Sequence, residues 1–286
     1  MQSGMIRGYC ATPLGQIHYR AVRTGDPVVL LPQSGRSSEM YLNLMRELAG
    51  RYHVVALDMP GSGGSSDLPA ATPYEAIAAS FIEAIDGLGI GPVNLYGLHT
   101  GNKIGTAMAA AAPERFRRFV FAGQSHSIIP DQQARNAAIA GTVADVVAPR
   151  SQAGQAALFD WTTKLSEIAA LGLSRTTLSG IIETAGYDES LERIIDELQA
   201  MRSRPLLYAG NFAYDLGRDL ARLRVPTLIL EIATPEEDCE FGRQGEALLA
   251  LIPSATLVTH HEPGGHGLTM EHRAPEIAAI VSRFFG

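Results

Sequence analysis

Between residues 17 and 122, short apolar runs alternate with longer stretches in which apolar residues recur every three to four positions. The runs "IHYRAV", "VVLLP", "HVVALD", "VNLYG" and "FVFAG" are rich in β-branched and aromatic residues, which predicts buried strands. The spacing between them predicts helices over Met40–Leu48, over Tyr74–Leu88 and along the small-residue stretch after Gly101. Such alternation belongs to a mostly parallel sheet covered by helices on both faces, here preceded by an antiparallel hairpin. From about Ile128 to Ala213 the strand signal stops, and "LFDWTTKLSEIAAL" and "LERIIDELQAM" carry helical spacing. The alternation resumes with "VPTLILE", a helix near Arg243–Leu251, "ATLVTH" and a closing helix over Ala274–Phe284. The pattern thus predicts an α/β core from residues 1–127 and 214–286, with a helical cap inserted at 128–213.

Composition narrows the class of ligand. The chain has 286 residues, 46% of them hydrophobic and 19% charged, enough for one sizeable core. Its formal net charge of -7, with no run of Lys or Arg, argues against nucleic acid or an anionic membrane surface as partner and for a small molecule. No apolar run approaches the roughly 18 residues of a membrane span. The first residues also lack a basic segment followed by an apolar one, so the expectation is a cytoplasmic protein. Cys10 and Cys239, far apart, suit a reducing compartment. A homodimer is compatible with this composition, and no cofactor is called for.

Candidate chemistry concentrates at "GLHTG", Gly97–Gly101, after the strand "VNLY" and before a small-residue helix. A tight strand-to-helix turn needs small residues on both sides of its central position, and it projects the central side chain at the carboxyl end of the sheet. Open α/β sheets bind their ligands at that end. That side chain is His99, where a nucleophile elbow of the G-x-S-x-G type has serine. At a helix N-terminus the positive end of the macrodipole favours the neutral imidazole.

Five blocks in order resemble the α/β-hydrolase fold superfamily: "VVLLPQSGRSSEMY", "VVALDMPGSGGSSDLP", "GLHTGNKIGTAMAAAAPERFRRFVFAG", "VPTLILE" and "LIPSATLVTHHEPGGHGLTMEHRAPEIAAIVSRFF". The resemblance implies a mostly parallel eight-stranded sheet flanked by helices, with a helical cap over the site. It makes His266, in "PGGHG", the catalytic base, brought next to His99. Its acid follows "LILE", where "EIATPEEDCEF" offers Glu236, Glu237 and Asp238 without selecting one. The anion site would use the turn at Gln33 and Ser34 and the backbone N–H of Thr100, because backbone donors survive side-chain replacement.

Other candidates carry less. Ser125 in "GQSHS" lacks the second glycine and small-residue helix of an elbow. Ser62, in the glycine-rich loop, reads as a turn residue. His260 and His261 lie near a strand end, and with His266 they lack the helical i, i+4 spacing of a zinc motif, so no metal is expected. In the insertion, Leu158, Phe159, Trp161 and Tyr187 are expected to cover the pocket mouth against an apolar substrate.

Three functions fit these residues. One is a hydrolase in which His99 or His266 activates water against an ester, lactone, thioester or activated C–C bond. Another is a non-hydrolytic lyase, cyclase, decarboxylase or cofactor-free oxygenase using the same histidines. The third is a silent binding protein, since fold does not decide function.

Overall fold

The computed structural model describes residues 4–22, 25–123, 195, 196, 198–200, 203–235, 238, 242–262 and 269–286. Every apolar run named above forms a strand. The strands are β1 (Ile6–Thr12), β2 (Gly15–Val22), β3 (Asp26–Leu31), β4 (Tyr52–Leu57), β5 (Val93–Leu98), β6 (Phe116–Ala122), β7 (Thr227–Ala233) and β8 (Ala255–His261). They form one eight-stranded sheet in the order β1-β2-β4-β3-β5-β6-β7-β8. β1 and β2 are the expected antiparallel hairpin, β2 pairs antiparallel with β4, and all later pairs are parallel.

Side-chain alternation divides each central strand between two cores. Val29, Leu31, Val55, Leu57, Leu95, Phe119 and Phe121 face one core, which includes Ile77 and Phe81 of α2 (Tyr74–Gly87) and Ile104 and Met108 of α3 (Thr100–Ala111). Val28, Leu30, Val54, Ala56, Tyr96, Leu98 and Val120 face the other, with Leu44 and Met45 of α1 (Leu42–Leu48). Both faces of these strands are buried, so they read as continuous apolar runs rather than as alternating ones.

The expected helix at Met40–Leu48 begins instead as a 3-10 turn, Ser38–Tyr41, in which the Ser37 side chain accepts from Glu39 N–H. Of the insertion expected at 128–213, residues 128–194, 197, 201 and 202 lie outside the described residues. Its end returns as α4 (Arg204–Ala213), followed by α5 (Leu216–Leu220). The chain closes with α6 (Gly245–Leu251), α7 (Thr269–His272) and α8 (Ala274–Phe285). No helix among the described residues is long and apolar enough to cross a membrane.

Candidate active site

The strand-to-helix turn has the tight geometry that the glycines at 97 and 101 predict. A side chain at Gly97 would lie 2.3 Å from the Gly101 carbonyl oxygen, and one at Gly101 would lie 2.2 Å from the Leu31 carbonyl oxygen. Only glycine lets β5, α3 and the end of β3 approach so closely. His99 stands between them as the N-cap of α3 with φ 48° and ψ -106°. Positive φ is uncommon outside glycine. This ψ lies far from the left-handed helical well, so the backbone stores strain of about 1–3 kcal/mol.

The imidazole of His99 is half-buried and lies against Gly123, at the end of β6. A Cβ added there would sit 2.8 Å from its Cε1, 3.0 Å from Nδ1 and 3.1 Å from Nε2. The backbone holds this arrangement from both sides, since His99 N–H donates to Ala122 O at 3.0 Å and Gly123 N–H to Leu230 O at 2.9 Å.

Beside His99 the β3–α1 turn brings Gln33 and Ser34 next to α3. Ser34 and Thr100 share a hydroxyl–hydroxyl hydrogen bond of 2.6 Å. The Gln33–Arg36 turn closes with Arg36 N–H donating to Gln33 O at 3.3 Å. Thr100 N–H belongs to the first turn of α3, where amides have no acceptor within the helix. The structure thus brings Ser34 and Thr100 together at the start of α3. Behind them, Tyr74 donates its hydroxyl to Leu207 O of α4 at 2.9 Å. Burial pushes the Tyr74 phenol well above its ordinary value, against the hydrogen bonding of Thr100 and Ser34.

Of the three candidate acids only Asp238 lies among the described residues, and its carboxylate meets Arg243 Nε at 2.8 Å. Glu236, Glu237, His266, Ser125 and Trp161 lie outside the described residues. Ser62 is a buried turn residue, its N–H donating to Met59 O at 3.0 Å. Among the described residues no cluster of His, Cys, Asp or Glu could hold a metal ion.

Several buried polar groups near this end of the sheet were not among the candidate residues of the sequence. Asp58 accepts from Ser38 N–H, Gly64 N–H and His18 Nδ1, each at 2.8 Å. Burial would raise its carboxyl, but the hydrogen bonds of His18, Ser38 and Gly64 hold it below its ordinary value. Lys103, one turn after His99, is buried and donates to Asn211 of α4. Arg36 is buried between Asp196 and Glu271. In sequence Lys103 and Arg36 read as ordinary charged residues, because their partners lie far along the chain.

Comparison with known proteins agrees with this fold. Residues 26–171 match the family model of the alpha/beta hydrolase fold. Over 101 residues the chain is 35% identical to (E)-2-((N-methylformamido)methylene)succinate hydrolase of Acinetobacter baylyi, a match spanning 35% of this chain and 38% of that protein. It is 26% identical to a protein of Pseudomonas savastanoi provisionally named as the carbamate hydrolase RutD, over 91% of this chain and 94% of that one. Among solved structures, a hydrolase from Pseudomonas aeruginosa superposes with a TM-score of 0.73 at 25% identity, covering 98% of each chain. The enol-lactonase from Burkholderia xenovorans shares the fold with a TM-score of 0.68 at 20% identity, over 97% of this chain and 99% of that one.

Proposed function

The chain belongs to the alpha/beta hydrolase fold family, and from that premise we propose that it hydrolyses a small apolar carbonyl compound by histidine acid–base chemistry at the elbow. The substrate class is an ester, lactone, thioester or activated C–C bond. One observation carries the reading: the strained elbow conformation is kept at His99, φ 48°, although serine is absent. Strain of that kind persists where surrounding structure over-determines it, and it clusters at functional sites. Relatives named as hydrolases support hydrolysis as the reaction.

In this mechanism the neutral imidazole of His99 takes a proton from a water as the water oxygen bonds to the substrate carbonyl carbon. The carbonyl π pair moves onto oxygen, where the N–H groups of Thr100 and of the Gln33–Ser34 turn hold it. The tetrahedral oxyanion then collapses, the bond to the leaving group breaks, and the imidazolium returns the proton to that group. No acyl-enzyme forms. His266 is the second imidazole, oriented by Glu236, Glu237 or Asp238. Trp161 and its neighbours in 128–213 would cover the apolar part of the substrate, and Ser125 would be a further substrate-binding residue.

The test uses p-nitrophenyl butyrate and dihydrocoumarin with the folded wild type, His99→Ala and His99→Ser. General-base loss in His99→Ala lowers kcat by about 10²- to 10⁴-fold, and a loss below about tenfold overturns the role of His99. A fluorophosphonate probe leaves the wild-type elbow unlabelled and labels His99→Ser, whose new hydroxyl attacks it. Background labelling and background esterase activity in folded His99→Ser would mean that the remaining catalytic parts are missing.

A further inference from the structure

The buried guanidinium of Arg36 joins three parts of the chain that are remote in sequence. Its Nε donates to Asp196 Oδ2 at 3.0 Å, and one Nη donates to Glu271 Oε1 at 2.8 Å. Asp196 Oδ2 also accepts from Ser37 N–H at 2.9 Å, so the carboxylate grips both side chain and backbone of the turn. On the far side, Asn43 Nδ2 of α1 donates to Glu271 O at 2.9 Å and fixes α7 against the same loop. Asp196 belongs to the segment that leads back into the core ahead of α4, and Glu271 stands five residues after His266. Arg36 closes the turn that begins at Gln33.

Two features separate this cluster from an ordinary surface ion pair. Arg36 and Asp196 are each 3% exposed, so the charges interact with little solvent screening. Yet Arg36 Nη1 and Glu271 Oε2 are buried and make no hydrogen bond among the described residues. A network serving only stability does better fully satisfied or replaced by apolar residues, because each buried orphan atom is costly. Two carboxylates on one guanidinium instead fix mutual position through planar, directional bonds, which a point charge cannot do.

We propose that Arg36 is a positioning residue that registers the anion-binding turn at Gln33–Ser34 simultaneously against the Asp196 segment and the Glu271 helix. This rests on the hydrolytic reading, in which that turn holds the oxyanion. Arg36 itself touches no reacting atom. Its effect is to hold the donors of the β3–α1 turn in fixed register against the Asp196 segment and the Glu271 helix, where a displacement of about 1 Å lowers the rate up to roughly a hundredfold.

The experiment compares the full-length wild type with Asp196→Asn, Glu271→Gln, Arg36→Lys and Arg36→Met. It measures kcat and KM on p-nitrophenyl butyrate and amide hydrogen exchange of residues 33–37 and 269–272. In Glu271→Gln and Arg36→Lys, kcat is expected to fall ten- to a hundredfold with KM within twofold, and exchange of 33–37 to accelerate. In Asp196→Asn, exchange should also accelerate at 269–272, which Asp196 does not touch. A stability-only role would lower Tm while leaving kcat of the folded fraction unchanged, and that result overturns the proposal. So does unaltered exchange at 33–37 in both carboxylate variants, which keep the test decisive if Arg36→Met fails to fold. Wild type without esterase activity would defeat the hydrolytic reading alone, and exchange would still decide the clamp.

Discussion

At the scale of single residues, His99 and Gly123 form a unit. Gly123 has φ 73° and lies under the imidazole, so an alanine there meets two obstacles: the left-handed backbone and a Cβ 2.8 Å from His99 Cε1. Gly123→Ala is therefore expected to lower stability by about 1 kcal/mol through the backbone and to displace the ring. Its activity should fall by far more than its fraction folded. Thermal unfolding together with ester turnover checks this, and loss of activity in simple proportion to unfolding would contradict it. The importance of position 99 was legible in sequence because Gly97 and Gly101 frame it. Gly123 was not, since a glycine at a strand end reads as a turn until the ring above it is seen.

At the scale of elements, the elbow depends on β3, β5 and α3 meeting without side chains between them. Gly101→Ala would place a methyl 2.2 Å from the Leu31 carbonyl, and Gly97→Ala one 2.3 Å from the Gly101 carbonyl. Backbone cannot move aside as a flexible side chain can, so each substitution should cost at least the roughly 1–3 kcal/mol of an overpacked core. Calorimetry is expected to show a Tm lowered by several degrees for either variant. Gly87→Ala is the control, because nothing lies within 4 Å of its added Cβ. A Tm for Gly101→Ala matching that control would mean that the close approach is not required. These elements were readable because their signal is local: continuous apolar runs in the strands buried on both faces, and small residues in α3.

At the scale of the whole molecule, buried carboxylates set the acid limit. Asp58, Asp219 and Glu231 are all held below their ordinary values. For Glu231, burial opposes the shift, and hydrogen bonds from Gly245 N–H, Thr259 and Arg243 outweigh it. Each group releases its proton more readily folded than unfolded, so the unfolded chain binds more protons in acid. Their stabilisation is complete above the unfolded carboxyl range of about 4 to 4.5 and is lost as pH falls through the lower folded values. Denaturant unfolding from pH 7 to pH 3 should show stability falling below about pH 4.5. Asp58→Asn is expected to lose roughly 1–3 kcal/mol at pH 7 and to show a shallower acid decline. An unchanged acid limb in that variant would mean that Asp58 does not carry the linkage.

The sequence by itself determined the strand and helix order, the hairpin at the start and the tight turn at His99. All of these are written in residues close together in the chain, as hydrophobic period, glycine spacing and residue size. Only the tertiary structure decided that Asp58 holds His18, that Lys103 meets Asn211, and that Arg36 joins Asp196 and Glu271. The last two partners lie 160 and 235 residues from Arg36. A charge bears no mark in sequence of whether water or a distant carboxylate will surround it. That choice is made when the sheet brings its loop ends together and removes the water between them.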